Sequence, residues 1–383
     1  GKISHTPDGR VYGYDGSGDG HAELPNAWDR LSTPFGEWQR GWGVFFGYPG
    51  GRHREDGKGN NAILDFTATR DDELPDAQLA RAGMDEIKTL TKASKPWFMG
   101  VGFYKPHLPF TGTKSDWDAI KPTRVISDAS GSKPSGPYWH ESGEFYKYQM
   151  PWEKTRPLSA AAIVDARRAY LASIRYVDRQ IGKVLGALKV SGQDKNTIVV
   201  LWGDHGWHLG DHDLWVKHST YEQATRSPLI ISAPGIKAGK SSSPTEHVDI
   251  FPTLCQLAGL PVPKDLDGVS LTPVMRNNKL SVKEFAMSQY PRRLKNEEAK
   301  KLGYANPQLM GYSLRTDKYR YTLWMNHFTS KSPFDAKKVY AAELYDYTKD
   351  PLEKINVANE PEYAKISSSL NDKMIQFFKS QLK

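Results

Sequence analysis

The stretch from Gly203 to Lys217, Gly-Asp-His-Gly-Trp-His-Leu-Gly-Asp-His-Asp-Leu-Trp-Val-Lys, holds the densest set of groups able to do chemistry. A carboxylate, Asp204, and an imidazole, His205, stand side by side directly after the apolar run Thr197-Ile198-Val199-Val200-Leu201-Trp202. In α/β sheets ligands bind at the carboxyl ends of strands. Adjacent oxygen and nitrogen donors suit a divalent cation. Gly206 is expected to let the backbone turn tightly away, and Lys217 brings a positive charge a short loop later. The pattern points to an enzyme that handles an anion with a metal. An isolated Asp-His-Gly is an ordinary turn in most chains, so the weight falls on what accompanies it.

Two further sets accompany it. Lys2-Ile3-Ser4-His5 opens the chain, and Lys105-Pro106-His107 follows an apolar run at 96–103 that reads as a buried strand. A lone histidine is more often a satisfied core or surface residue than a catalyst. Three basic or metal-binding sets at separate strand ends are harder to dismiss. They would surround a sulfate- or phosphate-like group with cations, an imidazole acid and a Lewis-acidic metal.

The elements that must position these groups alternate between helix and strand. A helix is expected over 75–92, with Pro75 in its first turn and Leu79, Ala82, Ile87 and Leu90 inward. A longer amphipathic helix is expected over 158–188, with Ala166, Tyr170, Ile174, Val177, Ile181 and Leu185 on its inner face. Strands follow at 197–202 and 228–234, then a short helix at 248–257. Such alternation is the signature of an α/β sheet. After Pro273 the texture changes to antiparallel strands near 285–290, 311–315, 318–324 and 343–346, closed by a helix over 360–382. Residues 6–74, 111–157 and 325–341 carry little pattern and read as loops, where specificity would reside.

Composition sets the outer limits. With 383 residues, 38% hydrophobic and 25% charged, the chain is an ordinary globular one of one or two domains. A net charge of +8 favours anionic partners. The basic residues are spread along the chain, and no nucleic-acid motif accompanies them. The single cysteine, Cys255, excludes a disulfide framework and reads as a small buried hydrophobe. No apolar stretch is long enough to span a membrane.

At these residues the chain closely resembles the formylglycine-dependent type I sulfatases of the alkaline phosphatase superfamily. Within them it is most similar to the iduronate-2-sulfatases and the bacterial sulfatases of sulfated glycans. The resemblance is carried by Gly1-Lys2-Ile3-Ser4-His5, Gly102 to Phe110, Asp204 to Gly210 and Trp215-Val216-Lys217. Further on it is carried by Asp249 to Leu254, Ser288 to Arg292, Met310 to Thr316, Tyr319 to Thr322, Glu343 to Asp346 and Asp350-Pro351. It implies an α/β fold, an alkaline-phosphatase-like mixed sheet sandwiched by helices over 1–273, and a smaller C-terminal α+β subdomain over 274–383.

One departure is large. The family's nucleophile is a formylglycine made within Cys/Ser-x-Pro-x-Arg, and neither that motif nor the family's Asp-Asp metal pair occurs in this sequence. Both precede the Lys-x-x-His motif in the family, so the expectation is that 1–383 is the C-terminal part of a larger enzyme. The N-terminal segment of the same protein would then be its partner.

The resemblance assigns roles as follows. One calcium ion is held by Asp204, His205 and carboxylates from the N-terminal segment. Lys2 and Lys217 neutralise sulfate oxygens, His107 protonates the leaving sugar oxygen, and His5 assists breakdown of the sulfated intermediate. Trp207 and His208 line the sugar subsite. The substrate is a sulfated saccharide, a uronate-2-sulfate or a glycosaminoglycan or algal type, and the location is periplasmic or secreted, lysosomal in a eukaryote. Two alternatives stay open: a phosphodiesterase or phosphonate hydrolase of the same superfamily, and a non-catalytic glycan-binding homologue.

Overall fold

The computed structural model describes residues 2–125, 133–134, 140–301, 303, 308–326 and 334–381. Contacts cluster into two compact units, Gly1–Ala129 with Gly143–Lys195, and Ser130–Ser142 with Asn196–Lys383.

In the first unit the elements run α1 (Gly41–Phe45), β1 (Leu64–Ala68), α2 (Pro75–Leu90), β2 (Phe110–Thr113), α3 (Lys114–Ala119) and α4 (Ala160–Val190). β1 and β2 pair in parallel, Leu64 opposite Phe110 and Asp65 opposite Thr111. Both strands lie in segments that read as loops, because four or five residues without alternation give no periodic signal. The run at 96–103 pairs with no strand among the described residues, contrary to expectation. It carries no regular secondary structure instead, and Phe98 is 71% exposed.

The inner face of α4 also differs from expectation. Ile174 and Leu185 are exposed, while Ala162, Ala166, Ala169, Ser173, Tyr176, Gln180 and Val184 are buried. Small residues on that face allow close approach to α2 and β2, and Tyr176 and Gln180 find partners while the Ser173 hydroxyl has none among the described residues. The Tyr176 hydroxyl accepts from the Ala77 N–H at 3.0 Å. Arg179 donates to Asp71 and to Asp116, each at 2.7 Å, tying α4 to the starts of α2 and α3.

The second unit runs β3 (Val199–Trp202), β4 (His208–Leu209), β5 (Trp215–Val216), α5 (Glu222–Thr225), β6 (Leu229–Ser232), α6 (Ile250–Leu257), α7 (Thr272–Arg276), β7 (Ala286–Arg293), α8 (Asn296–Lys301), β8 (Gln308–Arg315), β9 (Tyr319–Met325), β10 (Val339–Asp346) and α9 (Ala364–Ser380). β3 pairs antiparallel with β6, and β4 with β5. Strands β10-β9-β8-β7 form an antiparallel sheet. One face packs on α9 through Tyr312, Leu314, Tyr321, Leu323, Leu370, Met374 and Phe378.

The other face of that sheet is polar yet buried, which the alternation of Tyr319, Tyr321 and Leu323 with Arg320 and Thr322 does not announce. Arg320 is 1% exposed, donates to Glu222 at 2.6 Å and Glu353 at 2.5 Å, and reaches Ser313 at 3.2 Å. A buried guanidinium needs such partners, since an uncompensated charge there is costly. Cys255 is buried, as its place on an apolar helix face requires. No helix is long and apolar enough to cross a membrane among the described residues. Within the low-pattern segments 111–157 and 325–341, residues 126–132, 135–139 and 327–333 lie outside the described ones.

Candidate active-site residues

In the first unit, Lys2, His5 and His107 are drawn to one aromatic cluster. A Cβ on Gly102 would lie 2.0 Å from the Lys2 carbonyl oxygen, so only glycine lets residues 2–3 lie against the 100–102 backbone. The Lys2 ammonium then sits 5.3 Å from the Phe45 ring centroid. Glu23 fixes the turn that follows: Ser4 Oγ donates to it at 2.6 Å and the His5 and Thr6 N–H groups at 3.0 and 2.9 Å. Burial pushes the Glu23 carboxyl pKa up, but these bonds outweigh it and hold the group below its ordinary value. The His5 ring meets the edge of Trp42 at 5.9 Å. Nothing in sequence spacing links Glu23 to His5.

His107 is held more firmly. Its Nδ1 lies 2.7 Å from the Leu108 carbonyl oxygen. A carbonyl only accepts, so Nδ1 carries the proton. Nε2 faces Glu144 Oε1 at 3.5 Å, and the ring packs on Phe45 at 4.7 Å. The loop around it is pinned by Lys105, whose buried ammonium donates to the His107 carbonyl at 2.9 Å and the Pro109 carbonyl at 2.5 Å. Burial lowers the Lys105 pKa to about 8, against the opposing pull of Asp76. Asp76, in the first turn of α2, accepts the Tyr104 and Lys105 N–H groups at 2.9 and 3.0 Å. Glu144 sits in a stretch without sequence pattern, so only the fold reveals it beside His107.

In the second unit, Asp204, His205, Trp207 and Lys217 are brought together beyond the end of β3. The Asp204 side chain is 63% exposed and its Oδ2 is 3.6 Å from His205 Nε2. His205 Nδ1 donates to the Gly206 carbonyl at 2.8 Å, which leaves the lone pair on Nε2, the form a metal takes. Trp207 stacks on His205 at 6.2 Å, and the Lys217 ammonium lies 5.3 Å from the Trp207 ring centroid. Gly206 is needed for proximity rather than for a left-handed turn. A Cβ there would meet the Gln223 carbonyl oxygen at 2.1 Å.

His208 is placed elsewhere. It is 1% exposed, and its Nε2 pairs with Ser219 Oγ at 2.7 Å. Burial, reinforced by His212 and His140, drives its pKa well down, so the ring is neutral. The loop bearing Lys217 is pinned on other sides as well. His218 Nδ1 pairs with Ser142 Oγ at 2.8 Å, Arg292 donates to the His218 carbonyl, and the Tyr221 ring lies 4.0 Å from buried His140, which pairs with Glu343 at 3.1 Å. Val216, just before Lys217, has a φ of 75° although it is β-branched. Such a conformation costs about 1–3 kcal/mol and persists only where the surroundings enforce it.

Among the described residues, no three His, Cys, Asp or Glu side chains converge as a metal cage. Calcium takes six to eight oxygen ligands. Asp204 and His205, one exposed carboxylate and one imidazole of fixed tautomer, fit as two members of such a set and not as a complete one.

Comparison with known proteins follows the same lines. The Sulfatase family matches residues 7–260, and the C-terminal region of N-sulphoglucosamine sulphohydrolase matches 210–380. Iduronate 2-sulfatase of Mus musculus is 29% identical over 379 residues, covering 82% of this chain and 68% of its own length. A sulfatase of Formosa agariphila is 29% identical, covering 94% of this chain and 62% of its own. The chain thus spans roughly two thirds of these relatives. The phosphonate monoester hydrolase of Silicibacter pomeroyi superposes with a TM-score of 0.66 at 23% identity, over 92% of this chain and 66% of that one. That likeness shows a shared fold. The match over most of the chain, with the Lys-x-x-His, Lys-Pro-His and Asp-His-Gly sets inside or beside it, makes this protein a member of the sulfatase family.

Proposed function

We propose that this chain carries the acid, cationic and part of the metal machinery of a sulfatase acting on a sulfated saccharide. The observation that bears most on this is His107. Its Nδ1–H is spent on the Leu108 carbonyl while Nε2 faces Glu144. In that setting the imidazolium is stabilised by a carboxylate and offers one proton, at Nε2. A sugar alkoxide is a poor leaving group, so protonation of the bridging oxygen as the S–O bond breaks is the step that needs such an acid.

The other residues supply charge and order. Lys2 and Lys217 are each assigned to neutralise sulfate oxygens where negative charge develops. His5, edge-on to Trp42, takes a proton during breakdown of the sulfated intermediate. Trp207 offers an indole face to the sugar, and His208 holds the loop of Lys217 from beneath. Asp204 and His205 supply two calcium ligands. Calcium would polarise the sulfate, and a formylglycine hydrate would serve as nucleophile. The family resemblance implies a periplasmic or secreted location, lysosomal in a eukaryote.

Phosphonate ester hydrolysis is the competing reading, favoured by the fold likeness to the Silicibacter enzyme. A sulfate monoester and a phosphonate monoester both carry one negative charge near neutrality, so charge does not separate them and turnover decides. The test compares kcat/KM of the full-length protein for 4-nitrophenyl sulfate and a 4-nitrophenyl phosphonate monoester. The sulfate should be preferred by at least about tenfold. A preference for the phosphonate replaces the proposal with its competitor.

A further inference from the structure

Lys105 reads in the sequence as a further cation for a bound anion, yet the structure turns its side chain inward, where it is 6% exposed. Its ammonium donates to the His107 carbonyl at 2.9 Å and to the Pro109 carbonyl at 2.5 Å. Among the described residues no carboxylate pairs with it directly, and Asp76 acts on it only at longer range. Its pKa, lowered to about 8 by burial, leaves it charged at neutral pH. A buried charge held by two neutral carbonyls is unfavourable. Packing alone would be served as well by an apolar chain of similar length.

What the ammonium holds is one short piece of backbone. The two carbonyls flank Leu108, whose own carbonyl accepts the His107 Nδ1–H at 2.7 Å. The His107 N–H donates to the Tyr104 carbonyl at 2.9 Å. Tyr104 and Lys105 are anchored in turn by their N–H bonds to Asp76 in α2, and the Tyr104 hydroxyl donates to the Pro7 carbonyl at 3.0 Å. The Leu108 peptide is thus fixed from both sides. A neutral imidazole has one N–H, and the group that accepts it decides which nitrogen carries it. With the Leu108 carbonyl in place the proton stays on Nδ1. Nε2, which faces Glu144 at 3.5 Å, is then the nitrogen that gains and loses the other proton.

We infer that Lys105 is a positioning residue for His107. By holding the 107 and 109 carbonyls it keeps the Leu108 carbonyl on Nδ1 and reserves Nε2 for acid–base exchange. This rests on the acid role proposed for His107 and adds the group that fixes where its proton sits. Lys105 itself gives up no proton and binds no sulfate.

The test joins a spectroscopic reading that needs no substrate to a kinetic one. Nitrogen NMR of the full-length protein with labelled histidine, His107 being assigned by its loss in His107→Ala, should find the neutral ring protonated on Nδ1. Lys105→Met, which keeps the chain length and removes the donors, should give His107 a mixture of the two tautomers. Lys105→Gln, which keeps an N–H donor, should show a smaller change, and the same readings on it decide if Lys105→Met does not fold. On a sugar sulfate Lys105→Met should lower kcat by about 10²-fold with KM nearly unchanged. It should lower kcat no further when His107 is already Ala. Losses that multiply in the double variant, or a Lys105→Met protein whose His107 keeps the Nδ1 tautomer, overturn the inference. So does a loss carried by KM alone, which would make Lys105 a cation for the sulfate. If the wild type releases no sulfate from any sulfated sugar, the sulfatase reading fails, and the tautomer reading still decides for or against Lys105.

Discussion

His208 Nε2 and Ser219 Oγ lie 2.7 Å apart in the interior of the second unit, and this bond ties the β4–β5 hairpin to the loop that follows Lys217. Because the ring is buried and neutral, its role is mechanical. His208→Ala should leave the Ser219 hydroxyl buried without that partner and cost about 1–3 kcal/mol of stability. His208→Gln should recover part of the loss. Thermal melts of the three proteins check this, and a melting temperature unchanged in His208→Ala would contradict it.

The same residue sets a pH dependence of known sign. Its folded pKa is depressed below the unfolded value of about 6.5. Below that pH the unfolded chain binds a proton the folded one refuses, so this contribution to stability is complete above about 6.5 and is lost as pH falls. The melting temperature should drop between pH 7 and pH 5, with a shallower drop in His208→Gln. Parallel profiles would show that other groups govern the acid limb.

Arg320 answers to two buried or half-buried carboxylates, Glu222 and Glu353. Arg320→Met should destabilise the C-terminal sheet by about 3–5 kcal/mol, because both carboxylates lose their compensating charge. The triple variant that also replaces Glu222 and Glu353 by Gln should be more stable than Arg320→Met alone. Chemical denaturation of the two variants decides the matter.

The sequence and the fold agree best where periodicity is long. α2, α4, α9 and the four C-terminal strands stand close to where hydrophobic spacing puts them. On the inner face of α4 the expected Ala166 and Val177 are buried, but Ile174 and Leu185 are exposed, because the buried line is made mostly of Ala, with Ser, Tyr, Gln and Val. Of the site residues, Asp204, His205, Trp207 and Lys217 are legible as a group because one short loop carries them. The proximity of Glu23 to His5 and of Glu144 to His107 is set by tertiary packing of segments that have no pattern. The burial of His208 was equally hidden, since a histidine two residues beyond a glycine looks the same in a strand interior as on a surface.

Asp204 and His205 make a prediction for metal content. The full-length protein should hold one calcium ion per chain. Asp204→Ala should lower that content and also lower the melting temperature gained on adding calcium. Elemental analysis and melts with and without chelator read both. Unchanged calcium in Asp204→Ala would place the metal elsewhere.

His107 should matter according to the leaving group. His107→Ala should cost on the order of 10²–10⁴-fold in kcat on a sugar sulfate and little on 4-nitrophenyl sulfate, whose phenolate leaves unaided. Equal losses on both would assign His107 to sulfate binding. No loss on either would make it a packing residue against Phe45.

The most direct measurement is the inorganic sulfate released when the full-length protein is incubated with a 2-O-sulfated uronic-acid saccharide, quantified by ion chromatography. The account predicts one inorganic sulfate for each 2-O-sulfated sugar converted to its free hydroxyl form, with release suppressed by His107→Ala. No sulfate from this or any other sulfated saccharide, under conditions where the protein is folded and calcium is present, would contradict it.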